Sequence, residues 1–187
     1  MKSVLCIGDS NTWGYDPRSC FGSQYSADVR WTGLVEREGY RVINCGQNGM
    51  SIPTGFRIGM IENVIKKYLL VDIISIMLGS NDLLNGIKAE EAAERMERFI
   101  HYVKSEIEGV RLILISPPMM QLGDWVPNEE LVAESRCLTK KYREMASTLG
   151  IEFADAGEWG IKLTFDGVHF SPEGHASFAR GLISLLA

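Results

Sequence analysis

The feature that most constrains the fold is an alternation of short, almost continuous apolar runs with longer segments of helical periodicity. Residues 72–78 and 111–115 are apolar at nearly every position, which is typical of strands that are covered on both faces. Such strands alternating with helices indicate repeated βα units and a mostly parallel sheet, with these two runs in its interior. The predicted strands are residues 3–7, 41–45, 72–78, 111–116 and 152–154.

Three longer segments repeat apolar residues every three or four positions, as the buried faces of amphipathic helices do. Gly150 is predicted to end the third segment, and Ser171 followed by Pro172 to begin a last helix. The three helical faces consist of Ile58, Ile61, Ile65, Tyr68 and Leu69; of Ala92, Met96, Phe99, Ile100, Val103 and Ile107; and of Leu131, Ser135, Leu138, Tyr142, Met145 and Leu149.

The composition excludes several classes of function. The chain carries 24 acidic and 19 basic side chains, a net charge of −5, whereas a nucleic-acid-binding protein typically has a basic stripe. Its first apolar run is too short for a signal peptide, and no apolar stretch is long enough for a membrane span. We therefore expect a cytoplasmic protein that binds neither nucleic acid nor membranes.

The four cysteines lack the paired spacing of zinc or redox motifs. Cys6, Cys45 and Cys137 fall in apolar patterns and are expected to be small buried hydrophobic residues. Cys20 lies in a loop, and the sequence assigns it no role.

Two polar strings follow predicted strands that lie far apart in the chain. Gly-Asp-Ser-Asn at residues 8–11 follows the first strand, and Asp-Gly-Val-His at 166–169 follows the fifth. In an open parallel sheet, ligands bind beyond the carboxyl ends of the strands, so the two strings are expected to meet there. Asp166 can then hold the Nδ1 proton of His169 and leave Nε2 facing Ser10. This arrangement predicts acyl transfer with Ser10 as nucleophile, His169 as base and Asp166 as its orienting carboxylate.

Ser10 also has a simpler interpretation as the N-cap of a first helix, and the two roles are compatible. The string differs from the Gly-x-Ser-x-Gly turn of ordinary α/β-hydrolases because Thr12 replaces the second glycine. Asn81 follows the third strand, where its amide is placed to donate to an oxyanion, although turn asparagines are common. The backbone N–H of Gly49 or of Gly46 is a further candidate donor.

Residues 13–28 and 117–128 match neither a helix nor a strand pattern, and we predict that they form pocket walls. Neither segment has the amphipathic periodicity of a lid, so small acyl groups are the expected substrates. Ordinary core packing explains Trp13 and Met119 about as well. The candidate pocket residues are Asn11, Trp13, Tyr15, Met119, Met120 and Trp125.

Taken together, these strings resemble the SGNH, or GDSL-type, hydrolase superfamily in order and spacing over nearly the whole chain. The resemblance implies that Ser10, Gly49, Asn81 and His169 are the four marker residues, and that the first three form the oxyanion hole. Residues 8–14, 30–33 and 166–171 look most like the arylesterase and acyltransferase branch. Two departures are Asn11, where leucine is usual, and a short segment between Gly14 and Arg30, so the branch's substrate range and oligomeric state do not carry over.

Rival functions fit the sequence less well. A two-metal phosphoesterase would use Asp9, Asn81, Asp82, Asp166 and His169, but three histidines supply too few ligands. A nucleotide-binding module fits still less well, because the sequence lacks the glycine-rich motifs that bind phosphate groups. A non-catalytic relative that binds a ligand would not need serine, histidine and asparagine together.

We therefore predict a flavodoxin-like three-layer α/β/α sandwich, one domain over residues 1–187, with a five-stranded parallel sheet of order 2-1-3-4-5. Its predicted activity is hydrolysis of small carboxylic esters through an acyl-serine intermediate, with no cofactor or metal. Deacetylation of O-acetylated sugars or other small metabolites is the alternative. A homo-oligomer is compatible with the sequence.

Overall fold

A computed structural model describes residues 1–19, 21–68, 70–107 and 109–187, with Met60 described by its backbone alone. All five predicted strands are confirmed, and no strand end differs from the prediction by more than one residue. The predictions for Cys20 and Leu69 lie outside the described residues. The strands are β1 (Ser3–Gly8), β2 (Arg41–Gly46), β3 (Ile73–Met77), β4 (Arg111–Ser116) and β5 (Glu152–Asp155).

Seven α-helices lie among the described residues, together with a 3₁₀ turn at Ala156–Trp159. Gly150 ends the sixth helix in the left-handed conformation, and Ser171 caps the seventh, as predicted. The helices are α1 (Ser10–Trp13), α2 (Trp31–Arg37), α3 (Arg57–Lys67), α4 (Ser80–Leu84), α5 (Ala89–Glu106), α6 (Glu129–Leu149) and α7 (Pro172–Leu186).

The strands form one parallel sheet in the order β2-β1-β3-β4-β5, which confirms the predicted topology. Alternate residues of each interior strand enter different apolar cores, because α3, α5 and α6 cover one face of the sheet and α2 and α7 cover the other. In β4, Leu112 and Leu114 enter the first core, whereas Ile113 and Ile115 enter the second. This two-sided burial explains the nearly continuous apolar runs.

The cysteine prediction holds for one residue and fails for another. Cys6 is buried in β1, and burial raises the pKa of its thiol to about 12. Cys45 is half-buried, and burial raises its pKa as well. Cys137 is exposed, because the buried face of α6 runs through Ser135 and Leu138 and leaves Cys137 beside it toward solvent. Its predicted burial was therefore wrong.

In the ranges that the structure describes, none of the helices combines the length and the apolar composition that are needed to cross a membrane.

Candidate active site

The candidate residues meet at the carboxyl end of the sheet. Ser10 opens α1 directly after β1, Asn81 lies in α4 after β3, and His169 lies in the loop that follows β5. Two glycines make the close packing of α1 possible. A Cβ at Gly8 would lie 2.0 Å from Thr12 Oγ1, and a Cβ at Gly46 would lie 2.2 Å from the backbone nitrogen of Trp13.

Ser10, His169 and Asp166 form an unbroken line of hydrogen bonds. Ser10 Oγ lies 3.0 Å from His169 Nε2, and His169 Nδ1 lies 2.7 Å from Asp166 Oδ2. All three residues are buried, and Ser10 retains 7% of its accessible surface. A buried imidazole held between a carboxylate and a hydroxyl is arranged to accept the hydroxyl proton.

Asp166 is held by its own loop. Its Oδ1 accepts hydrogen bonds of 2.9 Å from the Thr164 hydroxyl and from the N–H groups of Val168 and His169. Burial raises the pKa of Asp166, but the hydrogen bonds from the His169 ring and these two N–H groups outweigh burial and lower the pKa to about 2. Asp166 is therefore a carboxylate at neutral pH. Thr164 is not among the predicted site residues, and its only sequence signal is a hydroxyl two positions before Asp166.

Asp9 caps α1 and is also buried. Its Oδ1 accepts the N–H of Asn11 at 2.9 Å. Burial raises the pKa of Asp9 to about 6, although the hydrogen bond from Asn11 and the nearby His169 oppose the shift. The cap of α1 is therefore Asp9, and the capping interpretation of Ser10 was wrong.

The structure distinguishes Gly49 from Gly46 as a candidate oxyanion donor. The N–H of Gly46 already donates to Asn44 Oδ1 at 2.9 Å. Gly49 has a φ of +72°, and its N–H donates to no group in the described part of the chain. A Cβ at Gly49 would meet nothing within 4 Å. This geometry favours Gly49.

Asn81 and Asp82 hold the segment that follows Gly49. Asn81 Nδ2 donates to the Met50 carbonyl at 3.1 Å, and Asp82 Oδ2 accepts the N–H of Ile52 at 2.9 Å. Asp82 is fully buried and also accepts a hydrogen bond of 3.2 Å from Arg95. Burial raises the pKa of Asp82, and the hydrogen bonds from Ile52 and Arg95 oppose this shift. Two adjacent side chains thus fix both ends of the segment beside Gly49.

Two of the six predicted pocket residues contact His169. The Tyr15 ring lies 4.7 Å from the imidazole between centroids, and the Trp125 ring lies 4.8 Å away in an edge-on arrangement. Trp125 is 48% exposed, so it presents an open aromatic surface beside His169. Trp13 is half-buried at the end of α1.

The other three predicted pocket residues lie elsewhere. Met120 is buried in the core against α6, where its N–H donates to Ser135 Oγ. Met119 lines a separate cavity with residues of α6 and β5, where its sulfur accepts a hydrogen bond from Arg136. Asn11 is buried, and both ends of its side-chain amide are bonded to the loop that carries His169. These contacts do not support the predicted pocket roles of the three residues.

Two cavities of about 370 Å³ lie at this end of the molecule. One is lined by residues 47–51 and by Phe56 and Arg57, and it includes Gly49. The other is lined by Trp125 together with residues of α4 and α6. A larger cavity of about 490 Å³ is lined by Arg111 and Glu152, at the amino ends of β4 and β5. It lies at the opposite end of the sheet from Ser10.

A second buried histidine lies near the first. His175 accepts the N–H of Trp31 on Nδ1 at 3.4 Å, and its Nε2 has no hydrogen-bond partner among the described residues. Burial, together with the neighbouring His169, lowers the pKa of His175 to about 3. His175 is therefore neutral at neutral pH.

The acidic residues of the metal alternative do not converge. Asp9 caps α1, Asp82 binds Ile52 and Arg95, and Asp166 binds His169. In the part of the chain that the structure describes, no three His, Cys, Asp or Glu side chains are grouped so that they could hold a metal ion. These contacts do not support a two-metal site.

Comparisons with known proteins identify the family of this chain. The GDSL-like lipase/acylhydrolase family model matches residues 6–177. A carbohydrate acetylesterase family member from Sinorhizobium meliloti is 29% identical, with a TM-score of 0.84 over 100% of this chain and 97% of that chain. A proposed arylesterase from Agrobacterium tumefaciens strain C58 is 28% identical, with a TM-score of 0.87 over 100% of this chain and 98% of that chain.

An aryl esterase from M. smegmatis, in an inhibitor-bound structure, shares the fold at 22% identity, with a TM-score of 0.88 over 100% of this chain and 98% of that chain. The curated proteins include no match. The family model spans nearly the whole chain and includes both polar strings. The chain therefore belongs to the GDSL-like lipase/acylhydrolase family of SGNH hydrolases and is a carboxylic ester hydrolase.

Proposed function

We propose that the chain is a serine esterase in which Ser10, His169 and Asp166 act as nucleophile, base and orienting carboxylate. The observation that carries the proposal is the line of hydrogen bonds from Ser10 Oγ through the imidazole to Asp166, with distances of 3.0 and 2.7 Å. Ionised Asp166 accepts a hydrogen bond from the Nδ1–H group, so the proton stays on Nδ1 and Nε2 presents a lone pair to the serine hydroxyl.

In the proposed reaction, Ser10 Oγ attacks the ester carbonyl carbon while His169 Nε2 takes the hydroxyl proton. The bond from the carbonyl carbon to the alcohol oxygen then breaks, and the imidazolium returns the proton to that oxygen. Water next attacks the acyl-serine and gives a proton to His169. When the acid leaves, this proton returns to Ser10 Oγ, so each turnover consumes one ester and one water.

For the oxyanion we propose three donors: the backbone N–H groups of Ser10 and Gly49 and the side-chain amide of Asn81. Neither N–H donates to another group among the described residues. One Asn81 amide hydrogen binds Met50, which orients the side chain and leaves the second hydrogen available. Donors held in place before the reaction need no reorganisation when negative charge develops.

Small acyl groups, with acetyl to butyryl preferred, are the proposed substrates. The cavity beside Gly49 is about 370 Å³, at the small end of the range for ligand sites. Deacetylation of O-acetylated carbohydrates is the second candidate, favoured by the acetylesterase family member that is 29% identical. Tyr15 and Trp125 would present aromatic faces to a sugar or aryl group in either case.

Labelling with a fluorophosphonate tests the nucleophile, because the reagent phosphonylates an activated serine. We expect one adduct per chain on the peptide that contains Ser10 and no adduct in Ser10→Ala. Turnover should be insensitive to a chelator.

A panel of p-nitrophenyl esters and acetylated sugars then separates the two substrate classes. Rates that rise steadily through the palmitoyl ester would contradict the small-acyl proposal.

A further inference from the structure

Asn11 directly follows Ser10, and its side chain brackets His169. Asn11 Nδ2 donates to the carbonyl of Val168 at 3.1 Å, and Asn11 Oδ1 accepts the N–H of Phe170 at 2.9 Å. Val168 and Phe170 are the two chain neighbours of His169. One buried amide thus binds the backbone immediately before and immediately after the imidazole.

We infer that Asn11 is a positioning residue that sets the approach of His169 Nε2 to Ser10 Oγ, an inference that rests on the proposed function. The backbone of Asn11 is fixed as well. Its N–H donates to Asp9 Oδ1, and its carbonyl accepts the indole N–H of Trp31, both at 2.9 Å. Because all four polar groups are engaged, the side chain is a short, rigid connection between α1 and the His169 loop.

Three backbone hydrogen bonds join the loop to residues 121–125, but none of them connects it to α1. Among the described residues, the carboxylate of Asp166 bonds only to Thr164, Val168 and His169, all within its own loop. Those bonds fix the Asp166–His169 pair internally but not its separation from α1. In the described ranges, the only hydrogen bonds between α1 and residues 164–170 are the Ser10–His169 bond and the two bonds of Asn11. A displacement of about 1 Å in such a pair lowers a rate about 100-fold.

The two bonds explain why this position holds an asparagine. The side chain must donate to one backbone carbonyl and accept from one backbone N–H, and a side-chain amide carries both groups. Leucine, which is branched at Cγ like asparagine, supplies neither group. Aspartate keeps the acceptor for Phe170 and loses the donor to Val168.

The test is Asn11→Leu, assayed with p-nitrophenyl acetate. We expect kcat to fall about 10- to 100-fold with KM within twofold of the wild-type value. Fluorophosphonate labelling of Ser10 should slow by the same factor, because it also needs His169 near the hydroxyl. The downfield NMR signal of the His169 Nδ1 proton should persist, because its bond to Asp166 lies within the loop.

Asn44→Leu is the matched control. Asn44 Nδ2 donates to the Thr12 carbonyl at 2.9 Å, and Asn44 Oδ1 accepts the N–H of Gly46, so this asparagine connects α1 to β2 without contacting the His169 loop. We expect a lower melting temperature in Asn44→Leu, with kcat within threefold of the wild-type value.

Three results would overturn the inference: wild-type kcat in Asn11→Leu, equal losses of kcat in Asn11→Leu and Asn44→Leu, or loss of the Nδ1 signal. If Asn11→Leu does not fold, the isosteric Asn11→Asp decides. A lower kcat with the signal retained supports the inference, and a wild-type kcat overturns it. An active Ser10→Ala would instead refute the proposed function, whereas an inactive Ser10→Ala beside wild-type rates in Asn11→Leu refutes this inference alone.

Discussion

The two sides of the site differ in how their hydrogen bonds are used. On the side of Ser10 and His169, the groups bond to one another, and Asp166 Oδ1 alone accepts three hydrogen bonds. On the side of Gly49, a backbone N–H has no partner in the described part of the chain, and the space beside its α-carbon is open. The groups proposed to exchange protons are thus paired before substrate arrives, and the groups proposed to bind the developing charge remain available.

The largest expected effect follows from removing a side chain on the side of Ser10 and His169. Ser10→Ala or His169→Ala should lower kcat on the order of 10⁶-fold with the fold intact, because nucleophile and base act as a unit. Asp166→Asn should cost less, about 10⁴-fold, because the imidazole keeps its place but loses its tautomer. Steady-state kinetics and circular dichroism measure both effects. Turnover in Ser10→Ala equal to that of the wild type would refute the proposed mechanism.

Substitutions on the side of Gly49 should have a different kinetic effect. Asn81→Ala is expected to lower kcat about 10²- to 10³-fold with KM nearly unchanged, because its donor acts on the oxyanion and hardly on the bound ester. Asn85→Ala, at the exposed end of α4, is the matched control and should leave both constants unchanged. If Asn81→Ala changed KM alone, Asn81 would be a substrate-binding residue.

The buried His175 allows a prediction about stability that leaves the chemistry aside. Its folded pKa of about 3 lies below the unfolded value of 6.5, so the unfolded chain binds the extra proton and stability falls as the pH drops from about 6.5 toward 3. At pH 5 the loss is about 2 kcal/mol. Asp9, with its raised pKa of about 6, acts in the opposite direction between about pH 6 and 4.

The measurement is therefore a difference between variants. Urea unfolding of His175→Asn at pH 7 and pH 5 should show a smaller acid-induced loss of stability than the wild type. The exposed His101 in α5 provides the control, and His101→Asn should follow the wild type. An unchanged pH dependence in His175→Asn would show that the folded state protonates this imidazole.

The smallest effect is expected at the rim. Trp125 contacts His169 edge-on and is half exposed, so Trp125→Ala should raise KM about two- to tenfold with kcat within threefold. Trp125→Phe keeps an aromatic ring and should restore most of the wild-type KM. A drop in kcat alone would mean that the indole orients the imidazole and does not contact the substrate.

The sequence predicted the framework because periodicity reports burial directly. The runs that became β3 and β4 are covered on both faces, and Gly150 and Ser171 mark helix ends by their own chemistry. Short elements such as α2, with seven residues, carry too few turns for a periodic signal. Cys137 shows the same limit at single positions, since one step around a helix separates the core from solvent.

Within the site, the residue types of the acid–base line were readable because few side chains perform that chemistry. The pocket residues could not be predicted in this way, because aromatic and thioether side chains occur both in cores and on surfaces. Met120 and Trp125 both belong to the predicted segment 117–128, but Met120 is buried in the core and Trp125 is half exposed. The proposed role of Asn11 could not be predicted either, because its partners are backbone atoms near residue 169, and the sequence does not show which backbone atoms a side chain will contact.

The line from Ser10 to His169 joins positions 159 residues apart, so it also governs when activity first appears. The ribosome releases the proposed nucleophile well before the proposed base, and no nascent chain that lacks residue 169 contains both. During refolding, β1 enters the interior of the sheet, but ester cleavage must wait until the loop that carries His169 docks. Turnover recorded beside far-ultraviolet ellipticity would therefore time the final closure of the fold separately from the formation of its secondary structure.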